Sequence, residues 1–298
     1  MPTRRGILMC LGAALLFGLM AFGAKLAVRT TGGAFVAFVR FAGAAALVAA
    51  AVAAGRVRLR AVSYAPLAVR GLFGGLAVLL YFVSIDKVGV GLATLLNCTS
   101  PLWTALWSRV ILRERLRPRT IAGLALALGG VTLVLLGERG LAHPATLGWI
   151  AVGVASAACS GVAVTAIRVA RRTDGPWEIF AAFTLVGVVC TAPFAFPLPA
   201  AAALGPAVWA VLAGVVVVSV AAQILMTTAL KWVDAPTYGA IGQLSVVVAF
   251  ACGIGLFDER LPGLSLAGSA LTVAGVAFAA YLPAPKPAAA GSPEATTT

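Results

Sequence analysis

The chain has 298 residues, 61% of them hydrophobic and only 10% charged, where a soluble domain carries about 25% charged residues. No water-soluble core of this length can hide so much apolar surface, so lipid is the solvent for most of it. The net charge of +13 does not mark a nucleic-acid binder, because the basic residues fall in short clusters between apolar runs, the pattern of cytoplasmic loops.

Ten apolar runs of spanning length follow one another, at 7–27, 34–54, 67–86, 90–112, 120–137, 147–167, 178–197, 206–230, 236–257 and 264–282, each bounded by charges, Gly or Pro. In hydrocarbon every backbone amide has to be satisfied internally, so these runs predict helices rather than strands. The opening Met-Pro-Thr-Arg-Arg resembles the start of a signal peptide, but nine more runs follow the first and no small-x-small cleavage site is evident. It reads as a retained first span. The tail after Pro283, rich in Pro, Ala and Thr, has no apolar periodicity and is expected to be disordered.

Lys and Arg set the orientation. With a cytoplasmic amino terminus, the inside segments hold sixteen basic residues, Arg56, Arg70, Arg109 and Arg168 among them, and the outside segments five, with Arg40 inside a span. That bias predicts both termini in the cytoplasm of a bacterial cell, and a multi-pass protein of the plasma (inner) membrane.

Polar groups inside lipid are costly, so each is a candidate for function. Lys25 and Arg40 lie in the outer parts of the first two spans, where they either attract the carboxylate of a solute or, respectively, snorkel to the interface and bond helix-end carbonyls. Tyr81 in the third span and Trp103 in the fourth offer rings for stacking on a solute, or packing surface. Asn97, Thr99 and Ser100 precede Pro101, which cannot donate a backbone bond and so frees a carbonyl one turn earlier. This helix break is the favoured binding surface of the first half. In the second half Gln223, Thr227, Tyr238 and Gln243 take the equivalent part, as solute ligands or as bonds to neighbouring helices. Paired glycines (Gly71 and Gly75, Gly123 and Gly130, Gly268 and Gly275) predict close helix approach and no chemistry. The five cysteines are scattered singly, without zinc spacing or a disulfide framework, so neither a metal nor any other cofactor is expected.

A duplication organises these pieces. Glu114-Arg115-Leu116 recurs as Glu259-Arg260-Leu261, Ala122-Gly123 as Ala267-Gly268 and Gly130-Val131 as Gly275-Val276, all at an offset of 145 residues. Further upstream, Lys25 to Thr30 aligns with Arg168 to Thr173, at an offset of 143. Each half then holds five spans, an odd number, so the second copy enters the membrane upside down. The expected architecture is an all-α membrane protein of ten transmembrane helices, with inverted five-helix repeats at 1–138 and 147–282. Inverted repeats of this kind are an architecture of secondary transporters.

Several pieces together resemble the drug/metabolite transporter superfamily in its ten-helix form with two EamA domains. They are Ala13 to Gly18 leading to Lys25, Arg40-Phe41, Asn97 to Trp103 ending at Glu114-Arg115-Leu116, and the helix from Gly123 to Gly130. The second copy departs from the pattern where Val246 stands in place of the proline equivalent to Pro101. The resemblance implies a carrier of small metabolites, amino acids or drugs, often directed outward. It also implies a central cavity lined by the first, third, fourth, sixth, eighth and ninth spans, with the fifth and tenth peripheral and joining the halves.

The expected function is therefore secondary transport of a small-molecule solute, such as an amino acid or organic acid, across the bilayer by alternating access. Export by a monomer or homodimer is the leading form, and efflux of cationic drugs is the alternative. All acidic residues sit at span ends, in loops or in the tail, and His143 is in an outer loop, so no buried carboxylate or histidine is available as a proton relay. A membrane enzyme lacks a nucleophile–base pair here, and an ATP-driven pump lacks its phosphate loop. A channel or a non-transporting membrane subunit would make no direct use of an inverted repeat.

Overall fold

A computed structural model describes residues 4–111, 118–137, 144–195, 204–229 and 263–280, together with 232, 241, 242, 244, 245 and 248. Among the described residues the chain is all-helical, without strands. The helices are α1 (Arg4–Thr31), α2 (Gly33–Ala53), α3 (Tyr64–Val88), α4 (Val90–Cys98), α5 (Ser100–Ile111), α6 (Pro118–Gly137), α7 (Pro144–Ala170), α8 (Pro176–Ala195), α9 (Pro206–Ala229) and α10 (Gly263–Ala280). By length and composition α1, α2, α3, α7, α8 and α9 can each cross a membrane. The expected run at 236–257 lies outside the described residues except at 241, 242, 244, 245 and 248.

Two connections are as short as a connection can be. Gly32 (φ 78°) alone separates α1 from α2, and Gly89 (φ 88°) alone separates α3 from α4. An L side chain at a positive φ is strained, so glycine there permits an immediate reversal with no loop exposed to lipid. The run at 90–112, expected to break at Pro101, divides at Thr99 into α4 and α5. Thr99 N–H donates to the Leu96 carbonyl (3.1 Å) and Leu102 N–H to the Thr99 carbonyl (2.9 Å). This tightened turn sits just before Pro101, whose missing N–H deprives the helix of one bond.

Packing between the first and second halves is reciprocal. A Cβ on Gly71 of α3 would meet the Val186 side chain of α8 at 2.6 Å, and a Cβ on Gly43 of α2 would meet Val216 of α9 at 2.8 Å. The sequence offsets of 145 and 143 carry the first of these pairs onto the second. Likewise Gly153 of α7 abuts Ser84 of α3, and its counterpart Cys10 of α1 packs with Ala229 of α9. Along α6 and α10, a Cβ on Gly130 would meet Thr272 N and the Gly268 carbonyl, while one on Gly275 would meet Ala127 N and the Gly123 carbonyl. Partners fall in number on one helix as they rise on the other, so α6 and α10 run antiparallel. The Thr272 hydroxyl donates to the carbonyl of Ala127, its own counterpart 145 residues away (3.4 Å). The glycine faces expected from sequence are thus the contacts that join the halves.

One polar clasp outside the spans also crosses between halves. Val62 N–H donates to Asp174 Oδ1 (2.7 Å) and Ser63 N–H to Oδ2 (3.1 Å), tying the segment before α3 to the junction of α7 and α8. The Thr173 hydroxyl donates to Asp174 Oδ2 (2.7 Å), and the Ser63 and Thr173 hydroxyls share a further hydrogen bond. Donation from Val62 N–H above all holds the Asp174 carboxyl below the usual carboxylate range. A folded acid stronger than its unfolded form stabilises fully above the ordinary carboxylate pKa, and that contribution is lost as pH falls through the lower folded value. Melting temperature in detergent is accordingly expected to fall more steeply between pH 5 and pH 3 in the wild type than in Asp174→Asn. Parallel pH profiles would show that the clasp contributes nothing.

Candidate functional site

Of the candidate residues in α3, α4 and α5, Asn97 and Trp103 meet α7, and Tyr81 joins α3 to α4 along the same seam. Tyr81 and Thr94 share a hydroxyl–hydroxyl hydrogen bond of 2.8 Å. Asn97 Nδ2–H donates to Ser156 Oγ (3.1 Å), and the Ser156 hydroxyl donates to the Ala77 carbonyl (2.7 Å), so one chain of bonds links α4, α7 and α3. Thr99 turns its hydroxyl back to the Leu96 carbonyl (2.7 Å). Ser100 is half-buried at the head of α5 beside Pro101. Trp103 packs its backbone against Gly161, where a Cβ would come within 2.7 Å, and Trp107 Nε1–H donates to the Ala158 carbonyl (3.0 Å). Interhelical bonds of this kind contribute about 0.6 kcal/mol each in membranes, so the seam is held by several modest bonds rather than one strong one.

The other candidates are distributed. Lys25 of α1 donates from Nζ to the Ile85 carbonyl of α3 (3.4 Å). Gln223 and Thr227 share a half-buried face of α9, with the Thr227 hydroxyl donating to the Gln223 carbonyl (2.8 Å). Tyr238 and Gln243 lie outside the described residues.

Arg40 has a different setting from all of these. Its side chain is buried, 4% exposed, with the guanidinium 5.1 Å from the Phe41 ring centre and 5.7 Å from that of Phe183 on α8. Arg70 of α3, 7% exposed, stacks on the same Phe183 ring at 3.9 Å. The two guanidinium groups thus lie against one ring. Nε and Nη1 of Arg40 and Nε of Arg70 are buried without a hydrogen-bond partner. Sequence alone counts Arg70 with the inside segments, and the structure places it within α3, buried against Phe183 of the second half. The signal for this burial in the sequence is its place inside the apolar run at 67–86.

Magnitudes show what this pair lacks. Burying a guanidinium without a counter-charge costs several kcal/mol per ion, on the order of 3–5, whereas a cation–π contact returns about 0.5–2 kcal/mol. The rings alone therefore do not balance two neighbouring cations. Among the described residues the only ion pair is Lys87 with Asp86 (3.1 Å), at the far end of α3.

The EamA-like transporter family matches the chain twice, over residues 4–136 and 147–281. The chain belongs to this family. Among similar proteins, the pseudopaline exporter CntI of Pseudomonas aeruginosa, in strains UCBPP-PA14 and PAO1, is 27% identical over 277 residues, which is 91% of this chain and 94% of the exporter. A Helicobacter pylori transporter is 35% identical over 68 residues, 23% of each chain. One solved crystal structure superposes with a TM-score of 0.63 at 25% identity, covering 92% of this chain and 96% of its own. The chain is thus an EamA-type multi-pass membrane protein of the transporter class.

Proposed function

We propose that the protein is a secondary transporter that exports a small metabolite across the plasma membrane by alternating access, with ten spans in two inverted five-helix halves and both termini in the cytoplasm. The observation that carries the export reading is the likeness to a pseudopaline exporter along 91% of this chain. Family membership over both halves supports transport rather than catalysis. Alternating access is supported by the reciprocal packing, since two halves that make equivalent contacts can exchange conformations about a shared interface. Gly71 with Val186 and Gly43 with Val216 are such an equivalent pair. The solute is bound along the seam of Tyr81, Asn97, Thr99, Ser100 and Trp103, with Lys25, Gln223 and Thr227 facing it from α1 and α9. Tyr238 and Gln243 complete the second half's contribution. No proton relay is needed, so export proceeds down the solute gradient or by exchange.

The test compares spent-medium metabolites from cells overproducing the protein with those from cells carrying the empty vector. One compound class is expected to accumulate with the protein alone, with efflux that saturates as its internal concentration rises. Identical media would defeat export. Unsaturable flux would point to a channel instead, enrichment restricted to cationic drugs to multidrug efflux, and a steep dependence on an imposed pH gradient at fixed voltage to proton coupling.

A further inference from the structure

Arg40 and Arg70 leave three buried nitrogens unpartnered, and glycines make room for the groups around them. Gly74 has no side chain, and the Nη1 of Arg70 lies where its Cβ would be. Gly187 of α8 likewise admits the Phe41 ring, which a Cβ there would meet at 2.5 Å. Phe41 and Phe183 stand edge to face, 5.0 Å between ring centres and 80° between planes, with the two cations against them. A guanidinium lying over a ring directs its donors sideways, in its own plane, while the ring occupies its face. Two such forks around one aromatic ring form a concentrated set of in-plane donors with no acceptor supplied by the described residues.

We propose that Arg40, Arg70 and Phe183 form a buried oxyanion-binding site between α2, α3 and α8, taking a carboxylate or phosphate group. Carboxylate and phosphate match the planar fork bidentately, which a lysine would not. The ligand supplies the missing counter-charge and joins a pair of cations from the first half to a ring from the second. Its source is either a soluble anion or the phosphate of a lipid headgroup. The site stands whether or not the protein exports anything, since binding is measured without transport.

The experiment follows the melting temperature of purified protein in neutral detergent at constant ionic strength, titrated with inorganic phosphate and, separately, with succinate. A saturable rise is expected in the wild type. It should vanish in Arg40→Gln and Arg70→Gln, and shift to roughly tenfold higher concentration in Arg70→Lys, which keeps the charge and loses the fork. Arg58→Gln, altering an exposed arginine, should retain the wild-type response. If the Gln variants do not yield monodisperse protein, the Lys variants decide, with a displaced midpoint supporting the site and an unchanged one overturning it. The same series in nanodiscs of phosphatidylcholine, with and without phosphatidylglycerol, separates the sources. A response to phosphate or succinate in phosphatidylcholine alone assigns a soluble anion, and an Arg-dependent response only to phosphatidylglycerol assigns a lipid phosphate. No Arg40- or Arg70-dependent stabilisation under any of these conditions overturns the proposal.

Discussion

Gly130→Leu will separate α6 from α10 and lower the stability of the protein in detergent by about 3 kcal/mol, at the upper end of the range for overpacking a close contact. The atoms that a Cβ at residue 130 meets include Thr272 N at 2.5 Å and the Gly268 carbonyl at 2.6 Å. These belong to the opposing backbone, so no rotamer change can relieve the clash. The whole helix has to move, and with it the hydrogen bond from Thr272 to the Ala127 carbonyl. Gly275→Leu should cost a similar amount, because its Cβ meets Ala127 N at 2.6 Å in the reciprocal contact. The internal control is the adjacent glycine. Gly129 has nothing within 4 Å of a built Cβ, so Gly129→Leu should stay within about 0.5 kcal/mol of the wild type. Tryptophan-fluorescence melting of the three variants checks this, and equal losses at residues 129 and 130 would mean that the α6–α10 contact does not govern stability.

Replacing both buried arginines, by Arg40→Met and Arg70→Met together, will raise stability in oxyanion-free buffer while abolishing the response to oxyanions. Methionine keeps much of the length of the arginine stem and removes the charge, and exchanging buried ionic groups for apolar ones of similar volume stabilises by about 1–4 kcal/mol in favourable cases. Removing the guanidinium groups also removes their cation–π attraction to the rings, about 0.5–2 kcal/mol each, which is smaller than the desolvation cost relieved. Single variants should fall between, since each leaves one buried cation. The sign is the informative part. If the arginines were there to bond helix-end carbonyls, their removal would destabilise the protein, and a lower melting temperature for the double variant would establish that structural role.

Much of the fold was legible because lipid imposes a simple grammar on sequence. A stretch such as residues 206–229 has no option in hydrocarbon but to satisfy its own backbone as a helix, and α9 appears there. The repeated glycines were legible for a similar reason, since in a span a small residue at helical spacing marks close approach. The division of α4 from α5 was half legible. Pro101 announced a broken helix, and the break falls two residues earlier at Thr99, where the tightened turn takes up the missing bond. The candidate site was less legible. Asn97 was singled out as a polar group in lipid, yet its bond to Ser156 depends on a helix about sixty residues away in the chain, and no local pattern carries that information. The burial of Arg70 was not legible, because a lone basic residue near the start of a span has the same local signature whether it faces the cytoplasm or packs inward.

Composition, periodicity and the motifs repeated 145 residues apart by themselves determined that this chain lives in lipid as helices, that it is built from two copies of one unit, and which glycine faces are narrow enough to pair. Those properties follow from the solvent and from covalent geometry, both of which act residue by residue. Only the tertiary structure decided that Arg40 meets Arg70 across Phe183, that Asp174 clasps the segment before α3, and that Ala127 touches its own counterpart Thr272. Each of these joins elements distant in sequence, and the energy of burying a charge or pairing a donor depends on what stands opposite it rather than on its neighbours in the chain.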